Sequence, residues 1–509
     1  MNRFTSSLLG KLALVTLLAL PAAEAQTTRY WSNGTPGSPA TGNWALNADG
    51  GTAAWTTISG NNNPSAFWFN GDYAVFERSA AMAIGSTGAG YTVNAGSLTM
   101  NSGVTLTLNT PVQATGVKLL TVAGASSGHL VIGGTNFDTN GRLRVELSGS
   151  YNGLIETGAT GGSNNHNLLV LMNSASGGSN LRVQLNGGAL VLGEAVANNT
   201  VTIGELSGAV GSFVSPTFGA TTGTRTLNVN QSSNTVFAGE LRAGTSGRVL
   251  ALTKSGAGRL ELTGANTFEG ATIVNGGTLL ISGGGSINGT TGVSVNGASA
   301  ILRYDSSVAL TRTVTYGVSG GTFLYNSAAK YTGGSGSLTA GTDDVVGGDG
   351  VLGNVTIASG GTLTPGELGA GSAGQLTVDS LTLQIGATSN FDVLSEVAFD
   401  SISSVGAIQL AGAFNLTFSS ILASGSDLVL FDGASLANNF ASISALGAYS
   451  GSFAIEEGIY RLQQGNQVLS FDHLTGVLSV HAIPEPSTTL LLTGGLMAVL
   501  LFRRRRYKN

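Results

Sequence analysis

Thr253-Lys-Ser-Gly-Ala-Gly-Arg-Leu-Glu-Leu-Thr-Gly-Ala-Asn-Thr-Phe-Glu-Gly-Ala-Thr-Ile-Val-Asn-Gly-Gly-Thr-Leu279 decides the fold. Leu260-Glu-Leu262 alternates apolar with polar, which puts the leucines on one face of an extended strand. Glycines at 256, 258, 264, 270, 276 and 277 recur too often for a helix, where each costs roughly 1 kcal/mol relative to alanine. Asn275-Gly276 marks a tight bend, because these residues accept positive φ at little cost. The stretch is a set of short strands joined by tight corners.

Related pieces lie on either side. Val93-Asn-Ala-Gly-Ser-Leu98, Val274-Asn-Gly-Gly-Thr-Leu279 and Val295-Asn-Gly-Ala-Ser-Ala300 share the strand, bend, strand form, and Ile357-Ala-Ser-Gly-Gly-Thr-Leu363 is a looser copy. Val104-Thr-Leu-Thr-Leu108 shows the same alternation. One such unit cannot bury its apolar face alone, whereas stacked units build a continuous core. A parallel β-helix, or solenoid, is therefore expected over residues 81–390, with a set of β-sandwiches as the competing layout.

Composition agrees with an all-β chain. There are 78 glycines in 509 residues, and 42% of residues are hydrophobic, which is too many for a disordered polar chain. Only 10% are charged, against about 25% in an average protein. Cysteine is absent, which excludes disulfides, thiolate catalysis and Cys-ligated metals. The net charge is −5 and no basic patch precedes the last residues, so nucleic acid is not an expected partner.

The quoted stretch closely resembles the autotransporter-associated β-strand repeat of passenger domains. Lys254, Gly256, Gly258, Leu260, Leu262, Gly264, Asn266, Phe268 and Gly270 occupy its pattern. The resemblance implies a β-helical surface protein and brings no catalytic residue. The alternating, aromatic-girdled strands of a membrane barrel do not follow, so self-export through an outer-membrane pore is not expected.

Both ends read as addresses. Arg3 and Lys11 flank an apolar centre, residues 12–20, and Ala23-Glu-Ala25 provides the small residues of a signal-peptide cut between Ala25 and Gln26. At the other end, Thr488 to Phe502 is apolar and would span about 22 Å as a helix, short of the roughly 30 Å hydrocarbon layer. Arg503, Arg504, Arg505 and Arg506 can snorkel to headgroups and hold the cytoplasmic side. Pro484-Glu485-Pro486, then this apolar run, then the arginines, resembles the PEP-CTERM sorting signal. That resemblance implies transient membrane insertion of a single C-terminal transmembrane helix. It also implies an exosortase-like membrane enzyme that removes the tail, and delivery to the outside of a Gram-negative cell.

The expected division is a signal peptide at 1–25, an aromatic-rich N-terminal cap at 26–80, solenoid repeats at 81–390, a C-terminal β-domain or cap at 391–480, and a linker with the sorting signal at 481–509. All four tryptophans, Trp31, Trp44, Trp55 and Trp68, fall in the first cap. They form either a plug over the end of the stack or a sugar-stacking platform, and the plug is favoured.

Chemistry is sparse. Asp343, Asp344 and Asp349 form the densest acidic patch, with enough oxygens for a calcium ion or a glycosidase pair. Neighbours on a strand point to opposite faces, so a turn with solvated carboxylates is the plainer reading. His129, His166, His473 and His481 lack ligand spacing. No catalytic, cofactor-binding or metal site is expected. The expected function is a non-enzymatic surface or extracellular-matrix protein, structural or adhesive, with exopolysaccharide as its partner. The alternative is a polysaccharide lyase or glycosidase on the same scaffold.

Overall fold

The computed structural model describes residues 26–483, apart from 32–39, 45–54, 57–67, 69–71, 78, 85–90, 110–115, 134–140, 159–166, 194–196, 217–221 and 370. The expected signal peptide, the apolar run from Thr488 and the sorting residues Pro484, Glu485, Pro486 and Arg503 to Arg506 lie outside the described residues.

The chain winds as a succession of short strands that return to the same place once per coil. In the repeat first quoted, Thr272–Val274 lies parallel to Val293–Val295, which lies parallel to Val314–Tyr316. The next strands do the same. Arg259–Leu262 pairs with Gly277–Gly283, and that strand with Ala300–Ser306. About 13 coils stack in this way. At roughly 4.8 Å per ladder step, the stack is about 60 Å long. The parallel ladders rule out the β-sandwich layout, whose sheets are antiparallel.

Three sheets form the walls. The main sheet has 28 strands. A parallel sheet of seven runs from Tyr91–Ala95 to Glu240–Leu241, and a sheet of six begins at Ser337–Ala340. The core is made of columns. Leu260, Leu279, Leu302, Phe323, Val346 and Leu363 occupy one register position on successive strands, and each is fully buried. Tyr304 stacks on Tyr325 one coil on, with centroids 5.5 Å apart. Alternation in sequence becomes alternation across the wall, as in Thr105–Asn109.

Corners bring backbones so close that side chains are excluded. A Cβ at Gly264 would sit 1.9 Å from the Gly239 carbonyl oxygen of the coil below. At the Asn275-Gly276-Gly277 corner the chain enters the left-handed region at Gly277, φ +59°, so glycine is needed there.

At the N-terminal end, Thr28–Trp31 pairs parallel with Tyr73–Phe76 and antiparallel with Trp55–Thr56. Trp31 and Trp68 are buried. These two indoles pack inside the end of the stack, where no sugar can reach them.

At the C-terminal end the parallel ladder continues past residue 390. Thr388–Ser395, Ala413–Phe418 and Ser442–Gly447 stack in register. The larger residues of this region fill the same core, with Phe391, Phe414, Phe431 and Phe440 in mutual ring contact. A five-stranded antiparallel sheet then closes the end. Its strands Ala454–Glu456, Ile459–Gln464, Gln467–Asp472 and Val477–Ala482 follow one another as a meander, and Asp427–Val429 joins the far edge. Phe471 from this sheet packs on Phe414, Phe431 and Phe440.

Helix is almost absent from the described residues. Gly333–Gly336 contains left-handed φ values at Gly334 and Ser335, so it is a tight turn. Ser174–Ser176 is a single 3-10 turn capped by the Asn173 side chain. No helix among the described residues is long and apolar enough to cross a membrane.

Candidate functional site

The residues of the quoted motif turn inward or stack. Lys254 is fully buried, and its Nζ donates to the carbonyls of Ser255 and Gly256 at 2.8 Å and of Gly276 at 3.2 Å. Burial pushes this amine down to about 8. Asn266 accepts from the Leu241 N–H at 2.9 Å and donates to Gly264 and Ser286. It thereby joins three coils at one corner. Phe268 is fully buried. The motif is therefore a recipe for turning a corner, with a cation and an amide supplying donors to carbonyls that face no strand.

Two further basic residues are buried, and neither stands out in the sequence. Arg225 is fully buried, donating from Nε to the Gly193 carbonyl at 2.9 Å and from Nη1 to Gly223 at 2.8 Å. Lys118 is fully buried, and desolvation lowers its pKa. Their only sequence mark is a charge interrupting a β-pattern.

The acidic patch does not converge. Asp343 sits in a left-handed turn, φ 63°. Asp344 is buried at the start of its strand and accepts the Gly341 N–H at 2.7 Å. Desolvation raises its pKa, Asp343 adds to the rise, and the Gly341 bond opposes it. The Asp349 backbone N–H donates to the Asn326 side-chain oxygen at 3.2 Å. Among the described residues no three His, Asp or Glu side chains come together as a metal site. Sequence reasoning missed Asp400, which is 1% exposed and accepts N–H bonds from Gly374 and Asp392 at 2.8 Å. Desolvation pushes its pKa up to about 7 against those two bonds.

The histidines are scattered. His129 lies on the outer wall between Thr105 and Glu156. His473 meets the Tyr460 ring edge-on. His481 lines a groove of about 940 Å³ on the closing sheet with Asp427, Arg461 and Asp472. His166 and Ala25 lie outside the described residues, while Gln26 accepts a hydrogen bond from the Tyr73 hydroxyl.

The outer walls carry polar rows. Asn390, Asn415 and Ser444 stand in register and bond to one another at 2.9 and 2.7 Å. Thr202 and Asn228 stand in register and bond at 3.1 Å, and Ser255, two positions along the next strand, donates to Asn228 at 2.7 Å.

Parts of the sequence match known families and a known protein. Residues 252–281 match the passenger-associated-transport-repeat family. Residues 482–506 match the PEP-CTERM protein-sorting motif. A stretch of 211 residues, 39% of this chain, is 31% identical to the adhesin BmaC autotransporter of Brucella suis biovar 1 (strain 1330). The match spans only 6% of that adhesin's length. The chain is thus an exported β-solenoid that combines a passenger-type repeat with a sorting motif.

Proposed function

We propose that this protein is a non-enzymatic, adhesive or structural rod of the cell surface or extracellular matrix, and that it holds exopolysaccharide. The carrying observation is the outer wall: Ser, Thr and Asn side chains in registered rows offer many weak hydrogen bonds to hydrated sugar and no proton relay between paired acids. The similarity to an autotransporter adhesin supports a binding role.

The sorting motif supports processing by an exosortase-like enzyme. In this proposal the precursor starts its mature chain at Gln26 and is held in the inner membrane by the run before Arg503. The tail after Pro484-Glu485-Pro486 is then removed.

The test is incubation of the full-length protein with immobilised acidic and neutral polysaccharides. Retention without product is expected, with weak contacts strengthened by repetition along the rod. Release of shortened sugar chains that stops in D343N, D344N or D349N would establish an enzyme instead. Intact mass of the extracellular form tests the sorting step, and a mass that retains Arg506 would overturn it.

A further inference from the structure

A groove of about 340 Å³ opens on the outer wall of the main sheet, towards its N-terminal end. Its floor is made by glycine. Gly128 and Gly153 face each other on neighbouring strands, and a Cβ at Gly153 would lie 2.1 Å from the Gly128 carbonyl oxygen. Val104 and Leu154 provide aliphatic surface, and Thr105, His129 and Arg182 line the rest.

His129 is locked in place. Its Nε2 lies 2.8 Å from Glu156 Oε1, and its Nδ1 lies 3.0 Å from Thr105 Oγ1. A carboxylate only accepts, so Nε2 carries a proton, while Nδ1 meets the Thr105 hydroxyl. Both ring nitrogens are used, which leaves the imidazole as a fixed wall and leaves Glu156 Oε2 to accept from a ligand.

Arg182 is the opposite case. Thr105, His129, Leu154 and Arg182 follow one another along a single register column. Arg182 therefore stands two ladder steps from His129, roughly 10 Å, with Leu154 between them. Arg144, Arg242, Arg259, Arg303 and Arg461 each hold a carboxylate. Arg182 is exposed and holds none among the described residues. Glu205, across the ladder from it, is engaged by the Ser233 hydroxyl instead.

We infer that this groove binds an acidic saccharide, with a uronate carboxylate on the Arg182 guanidinium and the sugar ring on Leu154 beside the His129 wall. A planar guanidinium pairs with a carboxylate through two parallel N–H bonds. Ring hydroxyls then reach Thr105 and the free oxygen of Glu156. Two joined rings span the distance from Arg182 to His129. The site rests on the proposed binding of polysaccharide and names its chemical class.

The test uses full-length protein, digalacturonate as probe, and titration calorimetry. Cellobiose and inorganic sulfate, run separately, remove the carboxylate or the ring. Digalacturonate binding is expected, weakened about tenfold or more by R182Q, as for loss of one charged hydrogen-bonded contact. E156Q should weaken it less, and R461Q, on the closing sheet, should leave it unchanged. Equal binding of cellobiose, displacement by sulfate alone, or wild-type affinity in R182Q would overturn the inference. If R182Q keeps both its affinity and its retention on polysaccharide, only the groove assignment fails. If the wild type is retained on no polysaccharide, the broader proposal fails with it.

Discussion

Replacing Lys254 with methionine keeps the unbranched stem and removes the ammonium. Three carbonyls, of Ser255, Gly256 and Gly276, then lose their donor inside the stack. A hydrogen bond from a charged donor contributes about 1.5–3 kcal/mol net, and a buried acceptor left unpaired costs about 1–3 kcal/mol. Relief of the amine's own desolvation offsets part of this, so the net loss should be about 3–5 kcal/mol. The loss is local, because each coil contacts only its neighbours. Hydrogen exchange should therefore show protection falling in Arg248–Ser255 and Gly277–Gly283, while Gly116–Val122 stays as it was. The pH dependence supplies a second readout. With the folded amine at about 8 and an unfolded lysine near ~10.4, the unfolded chain holds more protons between these values. Stability of the wild type should rise with pH across that window, and K254M should lack that rise. A K254M protein within about 1 kcal/mol of wild type, with unchanged exchange, would refute the corner role of this lysine.

Two further outcomes are expected. Asp400 titrates near 7 when folded and near ~3.9 when unfolded, so the folded state holds the extra proton between them and stability should fall as pH rises through that range. Urea midpoints from pH 4 to 7.5 should show this slope in wild type and not in D400N. F471A removes the ring that closes the phenylalanine cluster, at a cost of about 3–5 kcal/mol. Exchange protection should then be lost in Ala413–Phe418 and Ser442–Gly447 and kept in Gly223–Asn230, and a uniform loss along the stack would contradict the end-cap role.

The strands were legible because their information is local. Leu260-Glu-Leu262 states its own face, and Asn275-Gly276-Gly277 states its own corner. What sits beside a residue in a solenoid comes from a neighbouring coil, and single-sequence patterns do not carry that register. Arg225 donates to the Gly193 carbonyl 32 residues away, a pairing that no local pattern shows. Asp400 gives no sign of burial, since the N–H groups that hold it belong to Gly374 and Asp392. Leu168–Leu171 lost the alternation signal for a different reason: all four residues are buried, so both faces of that strand are covered. The boundary expected at 391 falls inside the stacked core, which gains larger rings before the closing sheet ends it. The patch Asp343, Asp344 and Asp349 was found by density alone, and density does not make three carboxylates converge.

The polar rows have a consequence for binding. Where Asn390, Asn415 and Ser444 satisfy one another, each has fewer donors and acceptors left for a ligand. A row of this kind gives weak, repeated contacts and little selectivity. Selectivity has to come from places where the ladder leaves a group unpaired and also removes the side chains around it. The groove beside Arg182 meets both conditions, because glycine at 128 and 153 opens the floor and, among the described residues, no carboxylate occupies the guanidinium. The same stacking that forces glycine at close corners therefore also creates the room for a ligand. A search for other binding places on this wall should start from glycines that stand in register beside an unpaired charge.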